Sequence, residues 1–496
     1  MRMGMLRIAI ARAVSVVGAL AVFASCSSAA TRVPQAGAAP RVVDTVSVSS
    51  DASLPTVVTS PAPQRCNDPV SAGTVKVWHI LPDNVNAGDT FAALVEEFNA
   101  SHPQLKIDAV KVGGGDDLQT RLRETPQADW PDIVIAPPSS LKRLADTGST
   151  ITPGECPSGE TLASSLLPGI AAAYSIGGVL QAVPYGVSTP VLLFDATKLR
   201  AAGLDPDHPP RTPDELFAAS KQIVDRGASP FGLVVYDWYA GFFVHQWAAQ
   251  RGEVVAMPNN GRDGEQIRVE YDTAENRAAM QWIVDVVANG GAAWIGGVPK
   301  GLEDLGRIIA PANGAAMTIH TSGSIGDILA LQGKGGLKDV ELGVGPMPGP
   351  GPGGLVGGNG FWLIDHQDSQ RAGAAFEFIR WLSDPAQMGR FDVATGYIPP
   401  SEAVARTPAV TAAWRVHPQL KVGYDQLHAM SATAAAAGAL YGPSSEIDAL
   451  FWDLTNAILD RHVSPSVALS DATRTANKVI ATYDDMKQSQ TPTPTP

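Results

Sequence analysis

The stretch that decides the fold lies in the first half of the chain and reads Pro184-Tyr185-Gly186-Val187-Ser188-Thr189-Pro190-Val191-Leu192-Leu193-Phe194-Asp195. Residues 191–194 are β-branched, aliphatic or aromatic, which predicts a strand buried on both faces. The prolines and the glycine before them favour extended or turning backbone over helix. The stretch therefore predicts an extended or turning segment that leads into a buried strand.

Two helices are predicted directly after this strand. The first includes Lys198 and ends at Gly203, a residue that often occupies the position after a helix. The second begins with Thr212 as N-cap, Pro213 in the first position and Glu215 in the third, which is a capping-box pattern.

Toward the N-terminus, strand and helix patterns alternate. Residues 75–80, 105–112 and 132–136 have the composition of strands, and residues 91–98 carry an apolar helix face. Strand–helix–strand order predicts an α/β fold with a mostly parallel sheet and helices on both faces. A chain of 496 residues exceeds one ordinary core, so at least two domains are expected.

The N-terminus has the pattern of an export signal. Arg2, Arg7 and Arg12 come before or at the start of an apolar run that ends near Ala24-Ser25-Cys26. Such a run is typical of a signal peptide over residues 1–25, and it is too short to span a bilayer comfortably. The sequence before Cys26 resembles a bacterial lipobox, which predicts a lipid anchor on Cys26 at the outer face of the membrane. The alternative is ordinary secretion with cleavage nearby.

Once that signal is removed, two cysteines remain. An even pair in an exported protein is most simply a disulfide, here between Cys66 and Cys156. Two free buried thiols are the alternative. Residues 26–66 have no helical or strand period and predict a disordered tether, and residues 486–496, with their Thr-Pro repeats, predict a disordered tail.

Composition and motifs exclude several classes of function. A net charge of -13 argues against a general nucleic-acid binder. The chain lacks the Gly-x-Ser-x-Gly, His-Glu-x-x-His, P-loop and EF-hand patterns, and its histidines are scattered without metal-ligand spacing. We therefore expect no cofactor and no metal, and we interpret the adjacent acids at 116–117 and 484–485 as helix-capping or solvated residues.

Four segments, in order, resemble the family 1 extracellular solute-binding proteins of ABC importers, above all the members that bind glycerol 3-phosphate. They are the opening stretch, residues 313–325 (with Thr321-Ser322-Gly323-Ser324), residues 357–362 (Gly-Gly-Asn-Gly-Phe-Trp) and residues 395–399 (Thr-Gly-Tyr-Ile-Pro).

The resemblance implies a two-lobed periplasmic-binding-protein fold of type II, with a ligand between lobes that close by hinging. By the family's pattern the chain crosses between lobes near residues 187, 317 and 384. The implied lobes are 67–187 with 318–383, and 188–317 with 384–485.

The resemblance also implies a set of ligand contacts. Ser188, Ser322, Gly358 and Tyr397 fall on contact positions of the family, and hydroxyls and a bare glycine backbone can approach an oxygen-rich ligand closely. Gly358 has an alternative role as a residue that only permits a turn.

Aromatic residues extend this predicted site. Trp238 and Tyr239 follow a predicted strand, where the family places aromatic cleft residues, and aromatic faces stack on sugars or enclose quaternary ammonium ions. Trp78 and His79 end the first strand, where a ligand would meet the sheet. The alternative for Trp78 is a place in the core.

One departure from the family concerns phosphate binding. Leu440 stands where the family has the arginine that grips the phosphate, although Arg262, Arg415 or Lys421 could supply a cation from elsewhere. We therefore expect a glycerophosphodiester, an oligosaccharide or a polyol more than glycerol 3-phosphate itself.

These features together predict a monomeric lipoprotein that binds a small solute and delivers it to the permease subunits of an ABC importer. The rival functions are an exported carbohydrate-active enzyme, which would need two facing carboxylates, and a binding-protein fold reused as a sensor or adhesin.

Overall fold

Two β-sheets organise the chain, and residues 183–195 pass from one sheet to the other. The computed structural model describes residues 64–67, 73–82, 86–264, 267–296, 303–309, 314–332 and 339–490. The predicted signal peptide, Cys26 and nearly all of the predicted tether lie outside the described residues. Among the described helices, none is both long enough and apolar enough to cross a membrane.

The strands, in chain order, are β1 (Gly73–His79), β2 (Leu105–Lys111), β3 (Ile133–Ala136), β4 (Thr150–Ile151), β5 (Ser175–Ile176), β6 (Val179–Leu180), β7 (Val183–Ser188), β8 (Pro190–Asp195), β9 (Phe231–Val235), β10 (Ala256–Met257), β11 (Arg268–Val269), β12 (Ala292–Trp294), β13 (Ala315–Thr321), β14 (Leu342–Pro346) and β15 (Gly357–Ile364).

The helices are α1 (Asn86–Ser101), α2 (Gly115–Glu124), α3 (Leu141–Asp146), α4 (Gly159–Ser165), α5 (Pro168–Ala173), α6 (Ala196–Ala201), α7 (Pro213–Asp225), α8 (Tyr239–Gly241), α9 (Trp247–Arg251), α10 (Ala274–Asn289), α11 (Glu303–Ile309), α12 (Ile325–Leu331), α13 (Ser369–Leu382), α14 (Pro385–Thr395), α15 (Glu402–Ala405), α16 (Pro408–Val416), α17 (Val422–His428), α18 (Ala434–Ala437), α19 (Ser444–Leu459) and α20 (Pro465–Gln490). A π-helical turn, Phe242–Gln246, joins α8 to α9.

The first lobe is built on a sheet in the order β2-β1-β3-β15-β4, with β7 beside β15. The pairs β1/β2 and β1/β3 are parallel, as strand–helix–strand units require, whereas β15 runs antiparallel to β3, β4 and β7. Alternate residues of β3 supply the two faces: Ile133 and Ile135 pack into one core, while Val134 packs into the other. The sheet is therefore mixed and is covered on both faces.

The second lobe is built on a sheet in the order β12-β9-β13-β8-β14. Leu192 and Phe194 face one core of this lobe, and Val191 and Leu193 face the other. This confirms that residues 191–194 form a strand buried on both faces. The capping box at the start of α7 is also present, since Glu215 N donates to Thr212 Oγ1 at 3.2 Å.

Thr189 is the junction between the two sheets. Its N–H donates to Ser322 Oγ at 3.2 Å, and its carbonyl accepts from Ser322 N at 2.9 Å. Its own hydroxyl accepts from Gln426 Nε2 at 2.9 Å. The expected crossing near 187 therefore corresponds to a buried residue whose backbone N–H, carbonyl and hydroxyl oxygen are each hydrogen-bonded.

The other two expected crossings differ from the structure. Residue 317 lies inside β13, which pairs with β8 and β9, and β14 also belongs to the second sheet, so the chain returns to the first lobe only between β14 and β15. Residue 384 precedes α14, whose Met388 and Phe391 pack into the first-lobe core. Both crossings therefore differ from those that the resemblance implied.

The two ends of the described chain add two findings. Cys66 and Cys156 form a disulfide with their Cα atoms 4.8 Å apart, which confirms the predicted pairing. The predicted tail over residues 486–496 begins too early, because α20 continues to Gln490.

Candidate functional site

A cavity of about 410 Å³ lies between the lobes, and we call it the central cavity. Its first-lobe wall comes from the turn after β3 and from the start of β15; its second-lobe wall comes from residues 238–246 and from α19. The described residues of the wall that carry side-chain chemistry are Ser139, Trp238, Phe242, His245, Gln246, Arg262, Tyr441, Ser444, Asp448, Phe451 and Trp452. Walls from both lobes make this cavity the candidate site.

A second, larger groove of about 860 Å³ follows the edge strand β14 and the Pro/Gly loop after it. Its wall is rich in proline and includes residues 346 and 350–353. Proline removes backbone N–H donors, so this loop does not form an anion cradle.

Two helical stripes supply most of the aromatic side chains of the central cavity. Trp238, Phe242 and His245 are spaced by four and three residues and therefore lie on one side of their helical segment. On α19, Ser444, Asp448 and the pair Phe451-Trp452 follow the same spacing. The stripes meet where the His245 and Phe451 rings pack edge to face, with centroids 4.7 Å apart.

His245 is a neutral imidazole with a defined tautomer. Its Nδ1 lies 3.1 Å from the carbonyl of Gly241, which can only accept, so Nδ1 carries the proton. Its Nε2 then accepts from Tyr441 Oη at 3.0 Å, and Tyr441 accepts from Tyr271 Oη at 3.1 Å. Burial lowers the pKa of His245 to about 4, with a smaller opposing effect of the Gly241 hydrogen bond.

Arg262 is a buried cation on the wall whose donors are largely occupied by the protein itself. Nε donates to Gly438 O at 2.9 Å, Nη1 to three carbonyls of residues 172–175 at 2.9–3.1 Å, and Nη2 to Ala437 O. No carboxylate among the described residues lies within ion-pair distance of it. Burial lowers the pKa of Arg262 to about 9, so the side chain stays charged at neutral pH. It therefore contributes positive potential to the cavity, but its N–H donors are largely unavailable for bidentate binding of a phosphate.

Asp448 faces the cavity from α19 and remains accessible to solvent there. Enclosure by the surrounding protein raises the pKa of this carboxyl to about 7, and the negative charge of Asp116 on α2 adds to the shift. The nearby indole of Trp238 has its Nε1 buried without a hydrogen-bond partner among the described residues.

The structure places Trp238, Gly358 and Leu440 of the predicted set on the wall of the central cavity. Ser188, Ser322 and Tyr397 are not among the residues that line this cavity, and they lie in the junction of the lobes. Ser188 is buried opposite Gly357 in the β7/β15 pair, and the Ser322 hydroxyl is used by Thr189. Tyr397 stacks on Phe391 with ring centroids 5.6 Å apart.

Tyr239, Trp78 and His79 are not among the residues that line the described wall. Tyr239 Oη donates to Val234 O at 2.6 Å and accepts from Ile319 N at 3.1 Å, so this residue fixes the core of the second lobe. The Trp78 ring packs in the first-lobe core beneath the guanidinium of Arg121, and the His79 ring packs against Phe91.

Sequence reasoning missed Phe242, His245, Ser444, Asp448 and Trp452. The available signal was helical spacing from Trp238 and along residues 444–452, where the side chains of the wall recur every three or four positions. Of the three cations suggested in place of an arginine at 440, Arg262 is the one on the described wall.

Comparison with known proteins identifies bacterial solute-binding proteins as relatives of this chain. The family model for a bacterial extracellular solute-binding protein matches residues 93–418. The sn-glycerol-3-phosphate-binding periplasmic protein of Rhizobium meliloti (strain 1021) is 24% identical over 428 residues, which are 83% of this chain and 94% of the relative.

Solved structures share the fold. The UgpB protein of Mycobacterium tuberculosis in complex with glycerophosphocholine is 18% identical, with a TM-score of 0.65 over 84% of this chain and 100% of that chain. The GacH receptor of Streptomyces glaucescens, solved unliganded and with acarbose, is 20% identical, with a TM-score of 0.66 over 83% of this chain and 99% of that chain.

Proposed function

Because the chain belongs to the bacterial extracellular solute-binding proteins, we propose that its central cavity captures a glycerophosphodiester and that the loaded protein docks on an ABC permease. The observation that carries this proposal is that the central cavity takes its walls from both lobes, since such a site is completed only when the lobes come together. A solute that binds this state better than an open one shifts the population toward it.

The wall favours a diester over a free phosphate. Leu440 lies on the wall, and most N–H groups of Arg262 donate to backbone carbonyls. A dianionic phosphate would lack the bidentate partner that it needs in a closed cleft. A diester carries one negative charge and two organic groups, which suit the aromatic stripes. The UgpB protein in complex with glycerophosphocholine supports this class of solute.

We infer an extracytoplasmic monomer held to the membrane by lipid on Cys26. The location agrees with the periplasmic relatives, and the anchor rests on the N-terminal sequence. Mass spectrometry of the membrane-extracted protein checks the anchor: a diacylglycerol-modified N-terminal Cys26 supports it, and an unmodified mature N-terminus contradicts it.

The proposed solute is tested by calorimetric titration of the full chain with glycerophosphocholine, glycerol 3-phosphate and maltose in parallel. Binding of the diester at least about tenfold tighter than glycerol 3-phosphate is expected. Binding of maltose alone would contradict the diester and would indicate a sugar as the solute. Recovery of the diester intact after incubation separates binding from hydrolysis, which is the rival function.

A further inference from the structure

Asp448 has no counter-ion within the part of the chain that the structure describes. Among the described residues of the central cavity it is the one carboxylate on the wall. No described hydrogen-bond donor or cation contacts it, whereas Glu446 on the same helix pairs with Arg143 at 2.7 Å. A positive group bound in the cavity would give this solvent-accessible carboxylate the counter-charge that the protein itself does not supply.

The rings around Asp448 fit the same positive group. Phe451 and Trp452 lie three and four residues further along α19, on the same helix face. Trp238 and Phe242 contribute two more rings from the opposite stripe, with centroids 6.0 Å apart at a nearly perpendicular angle. Aromatic faces alone would suit a sugar as well as a cation, but rings combined with a carboxylate favour a cation.

The wall carries two opposite charges, the guanidinium of Arg262 and the carboxylate of Asp448. Arg262 is fixed by carbonyls of residues 172–175 and 437–438, and Asp448 projects from α19. An anionic phosphodiester benefits from the positive potential of Arg262, while a positive head group benefits from Asp448. A solute that carries both charges matches the wall, and a solute with only the anion leaves Asp448 uncompensated.

The first lobe also places a negative charge near Asp448. Asp116 belongs to α2 of the first lobe and lies close enough to act on the Asp448 carboxyl electrostatically. Two like charges from opposite lobes oppose closure, and a cation held between the rings and Asp448 relieves this repulsion. The residue can therefore couple the charge of the solute to the closing of the cleft.

We propose that Asp448, together with the ring faces of Trp238 and Trp452, selects solutes whose head group is positively charged. This rests on the proposed function, since it divides the glycerophosphodiesters by head-group charge. The preferred class is a zwitterionic diester with a quaternary or primary ammonium group.

The test compares two diesters that differ in head-group charge, glycerophosphocholine and glycerophosphoglycerol. Calorimetry at pH 8 on the full chain should show the choline diester binding about tenfold or more tighter. Asp448→Asn should remove most of that preference and leave the affinity for glycerophosphoglycerol within about threefold of wild type. Asp453→Asn is the matched control: it removes an acid from the outward side of the same helix, where Asp453 pairs with Arg461 at 2.9 Å.

The outcomes separate the two proposals. Equal binding of both diesters by the wild type overturns the role of Asp448 and leaves the proposed function standing. Failure of both diesters to bind overturns the diester function and this inference with it. A preference that survives in Asp448→Asn assigns the selection to another residue and overturns the inference.

Discussion

Asp392 on α14 is a buried carboxylic acid whose two oxygens have no hydrogen-bond partner among the described residues. Burial raises the pKa of this group well above its ordinary value. In the unfolded chain the carboxyl ionises near pH 4, while the folded protein keeps the proton. The folded state therefore binds more protons, and stability declines as pH rises above about 4.

Asp392→Asn should increase the free energy of unfolding at pH 7 by about 1–3 kcal/mol and have little effect near pH 3.5. The reason is that an asparagine does not ionise in the unfolded chain, so the unfolded state is no longer favoured by loss of a proton at this position. Urea denaturation across pH 3.5–8 measures the difference, with exposed Asp129→Asn as control. A difference that does not change with pH would contradict the protonated state of Asp392.

The pH dependence of solute affinity reports on Asp448. Its pKa of about 7 in the unliganded cleft means that the carboxylate is half protonated at neutral pH. Among the groups facing it, burial holds the pKa of His245 near 4 and that of Arg262 near 9, and it raises the pKa of Tyr441 and of Tyr271 above their ordinary value. Asp116 adds negative charge from the other lobe.

Affinity for glycerophosphocholine should therefore rise between pH 6 and pH 8, by up to about tenfold per unit at the acid end, and level off above the pKa. Neither the quaternary ammonium nor the phosphodiester titrates in this range, so the change belongs to the protein. Calorimetry at three pH values is the measurement. A flat profile, or the same slope in Asp448→Asn, would exclude Asp448 as the titrating group.

Trp238 should contribute to affinity through its ring face. Trp238→Ala should weaken solute binding by about 2–4 kcal/mol, whereas Trp238→Phe should preserve part of the affinity because a ring remains. Titration calorimetry of both variants, with circular dichroism to verify folding, decides the question. Unchanged affinity in the alanine variant would place the solute elsewhere.

At the scale of elements, the pairing of β7 with β15 depends on glycine. Gly358 has a φ of +94°, and the pairing shifts register between residues 358 and 359. A Cβ at Gly358 would lie 1.9 Å from the carbonyl oxygen of Gly186. Backbone atoms cannot yield as a flexible side chain can, so the glycine is required for the strands to approach.

Gly358→Ala should consequently lower the free energy of unfolding by more than about 2 kcal/mol. Gly306→Ala in α11 is the control, because its Cβ would meet nothing within 4 Å, and it should be neutral or stabilising by about 0.5–1 kcal/mol. Chemical denaturation of both variants gives the comparison. Equal stability of the two variants would mean that the strands reposition at little cost.

What the sequence could predict at this scale was local. The capping box at Thr212, the apolar face of α1 and the buried run 191–194 were predictable because their signals lie within a few residues. The sheet that β13 joins depends on residues far away in the chain, so the crossing expected at 317 was wrong. Tyr239 and Trp238 are neighbours in sequence, yet only Trp238 reaches the described wall, since adjacent helical residues point in different directions.

At the scale of the whole molecule, hydrogen bonds and ion pairs also join the lobes outside the cavity. They connect α3 with residues 442 and 446 and with α20, and we call them the α3–α20 contact. Arg143 on α3 donates to Gly442 O at 3.0 Å and to Glu446 Oε2 at 2.7 Å. Asp146 on α3 accepts from Tyr483 Oη at 3.1 Å and from Lys487 Nζ at 2.8 Å. The core residues of α3 belong to the first lobe and those of α19 and α20 to the second, so every one of these bonds spans the lobes.

Because the α3–α20 contact holds the lobes together, its loss should disfavour the closed state and weaken solute binding at a distance. Arg143→Ala should raise the Kd about two- to tenfold with a modest change in Tm, since a partly exposed ion pair contributes modestly to stability. Arg200→Ala is the matched control, because Arg200 pairs with Glu341 at 2.6 Å within the second lobe and should leave Kd unchanged. Exchange of the charges in Arg143→Glu with Glu446→Arg should restore much of the affinity. Calorimetry with small-angle scattering measures both Kd and closure; a Kd unaffected by Arg143→Ala would show that the cavity alone determines closing.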